Sequence, residues 1–169
     1  MCNLRHFTEP DSRMKEAIYL KWVLKPFFAL TLTELYEALR LRQIVFVVEQ
    51  NCPFIDNDKV DLQVFHLLGY NKAGEMVAYS RIIPPGVVYA EASIGRVVTV
   101  AELRGTGVGR LLMEQSIARL EHLFGKVPVR IEAQYYLLRF YRSFGFVEEG
   151  EVYILDGIEH IQMVRPAAG

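Results

Sequence analysis

Gly105, Gly107 and Gly109 fall within five residues, separated by four residues from the largely apolar run 94–100 before them and directly before an amphipathic stretch that reaches about Phe124. A buried strand, a glycine turn and a helix followed by another strand (127–133) make one right-handed crossover unit, so the chain reads as α/β. Glycines let backbone N–H groups turn toward a ligand with no Cβ in the way. Together with a helix N-terminus, such amides form an anion site, and Arg104 and Arg110 add positive charge at either end. Phosphate or pyrophosphate is the ligand class that physics suggests. Spacing then discriminates. A P-loop needs Gly, four residues and Gly-Lys-Ser/Thr, and counting from Gly105 gives Arg110-Leu111-Leu112. A dinucleotide fingerprint needs a third Gly where Arg110 stands, and it follows a chain's first strand. What remains is Arg-x-x-Gly-x-Gly, Arg104 to Gly109, after a bulge-prone strand. The rival reading is a structural turn whose glycines permit tight helix–strand packing.

Around this unit the chain alternates from Ile18, with Leu20, Trp22 and Leu24 on one face of a strand that Pro26 ends or confines to a sheet edge. Thr31 and Glu34 form a T-x-x-E capping box, with Leu30 and Leu35 as its hydrophobic staple. The helix they open carries Leu35, Leu39 and Arg42 one above another. The apolar run 44–48 fits helix or strand. Two strands, 64–70 and 76–83, flank the turn Asn71-Lys72-Ala73-Gly74 as a hairpin. In the helix after the glycine turn, Met113, Ile117, Leu120 and Phe124 form the buried stripe. A short helix, 136–144, follows. A final hairpin turns at Asp156-Gly157, a type I′ signal. The predicted order is β-α-α-β-β-β-α-β-α-β-β: a mixed central sheet of about seven strands with flanking helices. A polar N-terminal extension, 1–15, precedes a single domain, 16–169.

The 169 residues suit one domain, and 51% hydrophobic against 23% charged residues supports a packed core. Nineteen Lys and Arg against twenty Asp and Glu leave a net charge of −1, without the basic excess of a duplex nucleic-acid binder. No basic amphipathic face suggests a membrane surface. No apolar run reaches the ~18 residues of a membrane span, and 1–13 has no apolar h-region. A cytoplasmic protein is expected. Cys2 and Cys52 are expected as free thiols, Cys2 in the terminal extension and Cys52 in a turn. Asp56, Asp58 and Asp61 fail the calcium-loop pattern, because Asp61 and Leu67 stand where that loop needs Gly and Glu. They read as a solvated acidic loop, and no metal is expected.

The stretch Val97-Val98-Thr99-Val100-Ala101-Glu102-Leu103-Arg104-Gly105-Thr106-Gly107-Val108-Gly109-Arg110-Leu111-Leu112 resembles the acetyl-coenzyme A motif of the GNAT N-acetyltransferase superfamily. A second block, Gln134 through Phe140-Tyr141-Arg142-Ser143-Phe144-Gly145-Phe146, resembles that superfamily's later motif, in the right order and at the right separation. Leu41-Arg42-x-x-Val45-Phe46-Val47-Val48-Glu49-Gln50-Asn51-Cys52-Pro53, His66-Leu67-Leu68-Gly69 and Asp156-Gly157-Ile158-x-His160-Ile161 are similar to its ElaA-type subfamily.

The resemblance implies a GNAT-like sheet and an acetyl-CoA-dependent N-acetyltransferase acting by direct transfer on a primary amine of a small molecule or a protein. It places the pyrophosphate of acetyl-CoA on Arg104, Gly105, Thr106, Gly107, Val108 and Gly109, with Arg110 beside them. It places the pantetheine arm along Val97, Val98 and Thr99, in a V-shaped gap against strand 127–133. Tyr141 matches the position that protonates the departing thiolate, and Gln134 stands where the family often has Asn. The base is not set by either motif. Glu49, after an apolar run that could desolvate it, is the first candidate. His66, His160 and Glu132 are further candidates, and an ordered water could relay the proton. Acids near 51–61 and 84–92 (Asp56, Asp58, Asp61, Glu91) would suit a cationic acceptor, as would any solvated surface. Similar proteins often pair through sheet edges, so a homodimer is possible. Two alternatives remain: an acyltransferase like the acyl-homoserine-lactone synthases, and a CoA-binding module without turnover.

Overall fold

The structure, a computed structural model, describes residues 19–167; the expected extension 1–15, Cys2 and Ile18 lie outside the described residues. Seven strands join one mixed sheet: β1 (Lys21–Pro26), β2 (Phe65–Tyr70), β3 (Met76–Ile83), β4 (Ala92–Thr99), β5 (Val129–Gln134), β6 (Val147–Leu155) and β7 (Ile158–Arg165). Their spatial order is β1-β2-β3-β4-β5-β7-β6, and every neighbouring pair is antiparallel except β4–β5. Pro26 closes β1 at the sheet edge, where its missing N–H costs no ladder bond. Trp22 lies opposite Gly69, where a Cβ would come within 2.6 Å of the indole.

Two helices cover the two faces. Helix α1 (Leu32–Arg42) starts at the predicted capping box, with Thr31 accepting from Glu34 N–H and Glu34 accepting from Thr31 N–H. The face it buries is Ala38, Leu41 and Arg42, while Leu35 and Leu39, read as stacked with Arg42, are half-buried. With Val45, these residues pack on Leu68, Tyr79 and Val98. Helix α2 (Val108–Phe124) buries Val108, Leu112, Met113, Ile117 and Leu120 against Leu67, Ala78, Ile82 and Ile94 on the opposite face. Phe124, expected in the buried stripe, is partly buried at its end. Helix α3 (Leu138–Arg142) is shorter than predicted, because a 3₁₀ turn occupies Tyr135–Leu137. The last hairpin turns as expected, with Asp156 at φ 51° and Gly157 at φ 82°.

The ambiguous run 44–48 is neither a strand nor an α-helix. Gln43–Glu49 continues α1 as a π-helix, in which Gln50 N–H donates to Val45 O at 3.2 Å and Cys52 N–H to Val47 O at 3.1 Å. This widened turn carries Phe46, Glu49 and Gln50 to the sheet's central cleft. None of the described helices is long and apolar enough to cross a membrane.

The acidic loop corrects its expectation of a solvated surface. Asp56 and Asp61 are buried, at 8% and 5% exposure, beside Arg42 and Arg81 at 1% and 4%. Arg42 donates to Asp56 Oδ2 at 2.7 Å and to Asp61 Oδ1 at 2.8 Å. Arg81 reaches Asp58 at 2.7 Å and Asp61 at 3.1 Å, and Arg96 reaches Asp56 at 2.6 Å. Glu91 pairs with Arg130. Arginines therefore meet all the acids expected to attract a cationic acceptor, which removes that argument for one. Among the described residues, no group of three or more His, Cys, Asp or Glu side chains could hold a metal ion.

Candidate active site

β4 and β5 are hydrogen-bonded only at their first residues, Ala92 opposite Val129 and Ser93 opposite Arg130. Beyond Ser93 the two parallel strands part. β4 keeps its antiparallel bonds to β3 on its other edge and has a bulge opposite the stretch Tyr79–Arg81. Arg96 takes φ 50° there, an uncommon value for a residue with a Cβ. Its guanidinium is held by Asp56 and lies over the rings of Phe46 and Phe54, at 5.7 Å from each centroid. The opening between the strands is a cleft of about 730 Å³. Val97, Val98 and Thr99 line it from β4, Gln134 from β5, Tyr141 from α3, Glu49 from the π-helix, and Arg104, Gly105 and Gly109 from the glycine turn.

Glycines set the backbone of the turn. Gly105 and Gly107 have φ of +74° and +103°, which only glycine adopts without strain. The first bond of α2 at this end runs from Leu111 N–H to Gly107 O at 3.1 Å. The amides of Val108, Gly109 and Arg110 precede it and are the orphan donors of a helix N-terminus. A Cβ built at Gly105, Gly107 or Gly109 meets nothing within 4 Å. Tight helix–strand packing therefore does not explain these glycines. For Gly109, which lies inside α2 without a positive φ, neither conformation nor packing requires the missing side chain.

The other expected cradle residues divide. Val108 is fully buried in the core and does not line the cleft. Thr106 Oγ1 donates to Leu103 O at 2.6 Å and stays within the turn. Arg110 departs from the expectation: its guanidinium donates to Ser143 Oγ at 2.7 Å and lies 4.8 Å from the Phe144 ring centre, so it braces α2 on α3. Arg104 does line the cleft, donating to Glu49 Oε2 at 2.6 Å and to Thr99 O at 3.4 Å.

That ion pair corrects the premise for Glu49. Its carboxylate is not desolvated by the apolar run before it; its side chain is 31% exposed and salt-bridged at the cleft mouth. His66 is excluded as a free base, because its Nδ1 meets Tyr79 Oη at 2.7 Å and its Nε2 meets Asp61 O at 3.0 Å. Burial also holds its imidazole below the ordinary range. Glu132 lines the cleft but accepts from Tyr153 Oη and from Gln162 Nε2. Gln134 Nε2 donates to Gln50 Oε1 at 3.2 Å, linking β5 to the chain just past the π-helix.

Tyr141 is buried at 8% exposure, with its ring against Phe140 and Phe146. Its hydroxyl has no hydrogen-bond partner among the described residues, yet it is not sealed off, since the cleft reaches it. Burial, with the nearby Tyr136 adding to it, pushes the phenol above its ordinary value. It therefore stays protonated and faces the cleft as a donor. The sequence reading missed Arg96, a lone cation in an apolar strand just before the motif. Cys52 is a free thiol as expected, and its Sγ lies 3.3 Å from Asp156 O, tying the loop after the π-helix to the final hairpin.

A mixed sheet parted beside a glycine turn is the architecture of GNAT acyltransferases, and comparison with known proteins agrees. The family model for the acetyltransferase (GNAT) domain matches residues 54–166. ElaA of Escherichia coli is 45% identical over 138 residues, covering 80% of this chain and 90% of ElaA. The crystal structure of E. coli ElaA superposes with a TM-score of 0.81 at 41% identity, over 87% of this chain and 99% of that one. An acyl-CoA N-acyltransferase from Pseudomonas aeruginosa superposes with a TM-score of 0.83 at 42% identity, with the same coverage. The chain belongs to the GNAT acetyltransferase superfamily, in its ElaA-type branch.

Proposed function

We propose that the protein is an acetyl-CoA-dependent N-acetyltransferase that transfers the acetyl group directly to a primary amine, on a small molecule or a protein. Gly109 is the observation that carries this reading. A glycine there costs helix stability, and the open space above it fits a ligand approaching the backbone closely. Pyrophosphate matches the orphan amides of the turn and the Arg104 charge. The unpaired edge of β4, from Ile94 to Thr99, supplies N–H and C=O groups for an amide-bearing arm laid down like an added strand. Acyl transfer also requires that the departing thiolate receive a proton. The protonated Tyr141 hydroxyl supplies it from within the same cleft. A reaction that draws on acetyl-CoA suits the cytoplasm, where that thioester is available.

A thiol-release assay with acetyl-CoA over a panel of amines, comparing the parent with Tyr141→Phe and Gly107→Glu, tests the reading. Gly107→Glu puts a carboxylate and a Cβ into the cradle and is expected to abolish acetyl-CoA binding. Undiminished binding by that variant would overturn the site assignment. Longer acyl donors outcompeting acetyl-CoA would favour the acyl-homoserine-lactone-synthase alternative, and tight binding without transfer to any amine would favour a CoA-binding module.

A further inference from the structure

We infer that His160 is the general base of the transfer, a role that rests on the acetyltransferase reading above. His160 lies on β7, directly opposite Gln134 of β5 and Tyr153 of β6, on the wall of the same cleft as Tyr141. The residue is 9% exposed, and its ring is stacked on that of Tyr153, with centroids 6.3 Å apart and planes 27° from parallel. Nδ1 lies 2.9 Å from the carbonyl oxygen of Ile158, two residues back on the same strand. A carbonyl only accepts, so Nδ1 carries the hydrogen, and in the neutral ring Nε2 carries the lone pair. Nε2 has no partner among the described residues and is not sealed from solvent, so its lone pair opens on the cleft. This is the arrangement a base requires: one nitrogen fixed by a backbone acceptor, the ring clamped by stacking, the other nitrogen free.

The other ionisable groups that share the cleft are already engaged or lie at its margin. Glu49 and Arg104 neutralise each other, Arg96 is held by Asp56, and Glu132 accepts from Tyr153. Asp156 is exposed at the hairpin turn. Nε2 takes one proton from the acceptor ammonium, which frees the nitrogen lone pair. That lone pair forms the C–N bond to the acyl carbon as the C–S bond breaks. The nitrogen's second surplus proton goes to water, and the sulfur takes the Tyr141 phenolic proton. The imidazolium returns its proton to Tyr141 through water, so the cycle releases one proton overall.

The test uses the full chain with acetyl-CoA and the best amine from a panel of alkylamines, polyamines and lysine peptides. His160→Gln and His160→Ala are compared with the parent for acetyl-CoA affinity, thermal midpoint and the pH profile of kcat/KM. The expected result is a loss of about 100-fold in kcat/KM, with acetyl-CoA affinity and midpoint little changed and the acidic limb of the profile removed. Added imidazole is expected to restore activity to His160→Ala, which a merely structural role would not allow. Activity within threefold of the parent, with the acidic limb intact, would overturn the role while leaving the acetyltransferase reading standing. Acetyl-CoA binding by the parent with no transfer to any amine would overturn both. Nitrogen NMR of the parent gives a readout independent of the acceptor: the neutral ring protonated on Nδ1 is expected, and protonation on Nε2 would exclude the role.

Discussion

Arg104 donates to Glu49 Oε2 at 2.6 Å across the mouth of the cleft, joining the glycine turn to the last residue of the π-helix. The pair sets the expected competition for Arg104. A pyrophosphate bound as proposed would draw on the same guanidinium as the Glu49 carboxylate, so Glu49 is expected to oppose cofactor binding. Glu49→Gln is expected to tighten acetyl-CoA binding by about 1.5- to 5-fold, the worth of about 0.2–1 kcal/mol for an exposed pair. The gain should shrink as salt rises, and kcat should stay within a few-fold of the parent. Titration calorimetry at two salt concentrations reads the sign. A 100-fold fall in kcat would instead assign Glu49 the chemistry.

Gly109 separates a ligand's demand from the fold's. A Cβ at this position meets nothing within 4 Å, and the residue is already helical. Gly109→Ala is expected to stabilise the ligand-free protein by up to about 1 kcal/mol, which raises the thermal midpoint by about 2–4 °C in a chain of this size. The same methyl should weaken acetyl-CoA binding at least tenfold. Melting and binding measured on one preparation check both signs, and a variant that both melts higher and binds as before would remove the cradle.

Much of this site is written in local sequence. The glycine turn, the Thr31–Glu34 capping box and the Asp156-Gly157 turn each depend on a few adjacent residues whose backbone preferences act alone. The strand count and the order of elements along the chain follow from apolar periods and turn residues. What escaped is what depends on distant partners. Arg42, Arg81 and Arg96 lie in apolar stretches, and a buried guanidinium requires a carboxylate. Nothing local says that those carboxylates are Asp56, Asp58 and Asp61, up to 40 residues away along the chain. Glu49 and His160 show the same limit. Glu49 follows an apolar run and His160 sits between Ile158 and Ile161, yet one meets an arginine 55 residues on, and the other is oriented by its own strand. The parting of β4 from β5 is legible only through family resemblance, because no residue type announces a broken ladder.

The buried arginine network is expected to hold the fold rather than perform chemistry. Arg42 donates to Asp56 Oδ2, to the Asp56 carbonyl and to Asp61, and all three residues are buried. Arg42→Met would leave two buried carboxylates short of a partner, at a cost of about 3–5 kcal/mol. For a chain of this length that corresponds to a midpoint lower by about 6–20 °C. Thermal melting checks it, and a drop below 3 °C would show that the acids find other partners.

The network also sets the acid limit. Burial pushes the Asp58 carboxyl up, but hydrogen bonds from Arg81, with the charges of Arg96 and Arg42, outweigh it and hold the group below its ordinary value. A group with a depressed folded pKa stabilises the fold above its unfolded value of about 3.9 and loses that contribution as pH falls through the folded one. The thermal midpoint is therefore expected to stay level from pH 7 to about pH 5 and to fall below about pH 4. Asp58→Asn should flatten part of that acid limb while lowering the midpoint at pH 7. An unchanged limb would place the acid sensitivity elsewhere.

Tyr141 offers a test of the leaving-group end of the reaction. Its hydroxyl opens on the cleft without a protein partner, so Tyr141→Phe removes one oxygen and leaves the ring packing on Phe140 and Phe146 intact. The variant is expected to lose about 100-fold in kcat, with acetyl-CoA affinity unchanged, because the proton is needed only as the C–S bond breaks. Burial holds the phenol above its ordinary pKa of about 10. The parent should therefore keep its kcat plateau through about pH 9.5, with no alkaline limb from this group. An alkaline limb that Tyr141→Phe abolishes would mean that the phenol ionises more readily than its burial allows. A variant with full kcat would hand the proton to water.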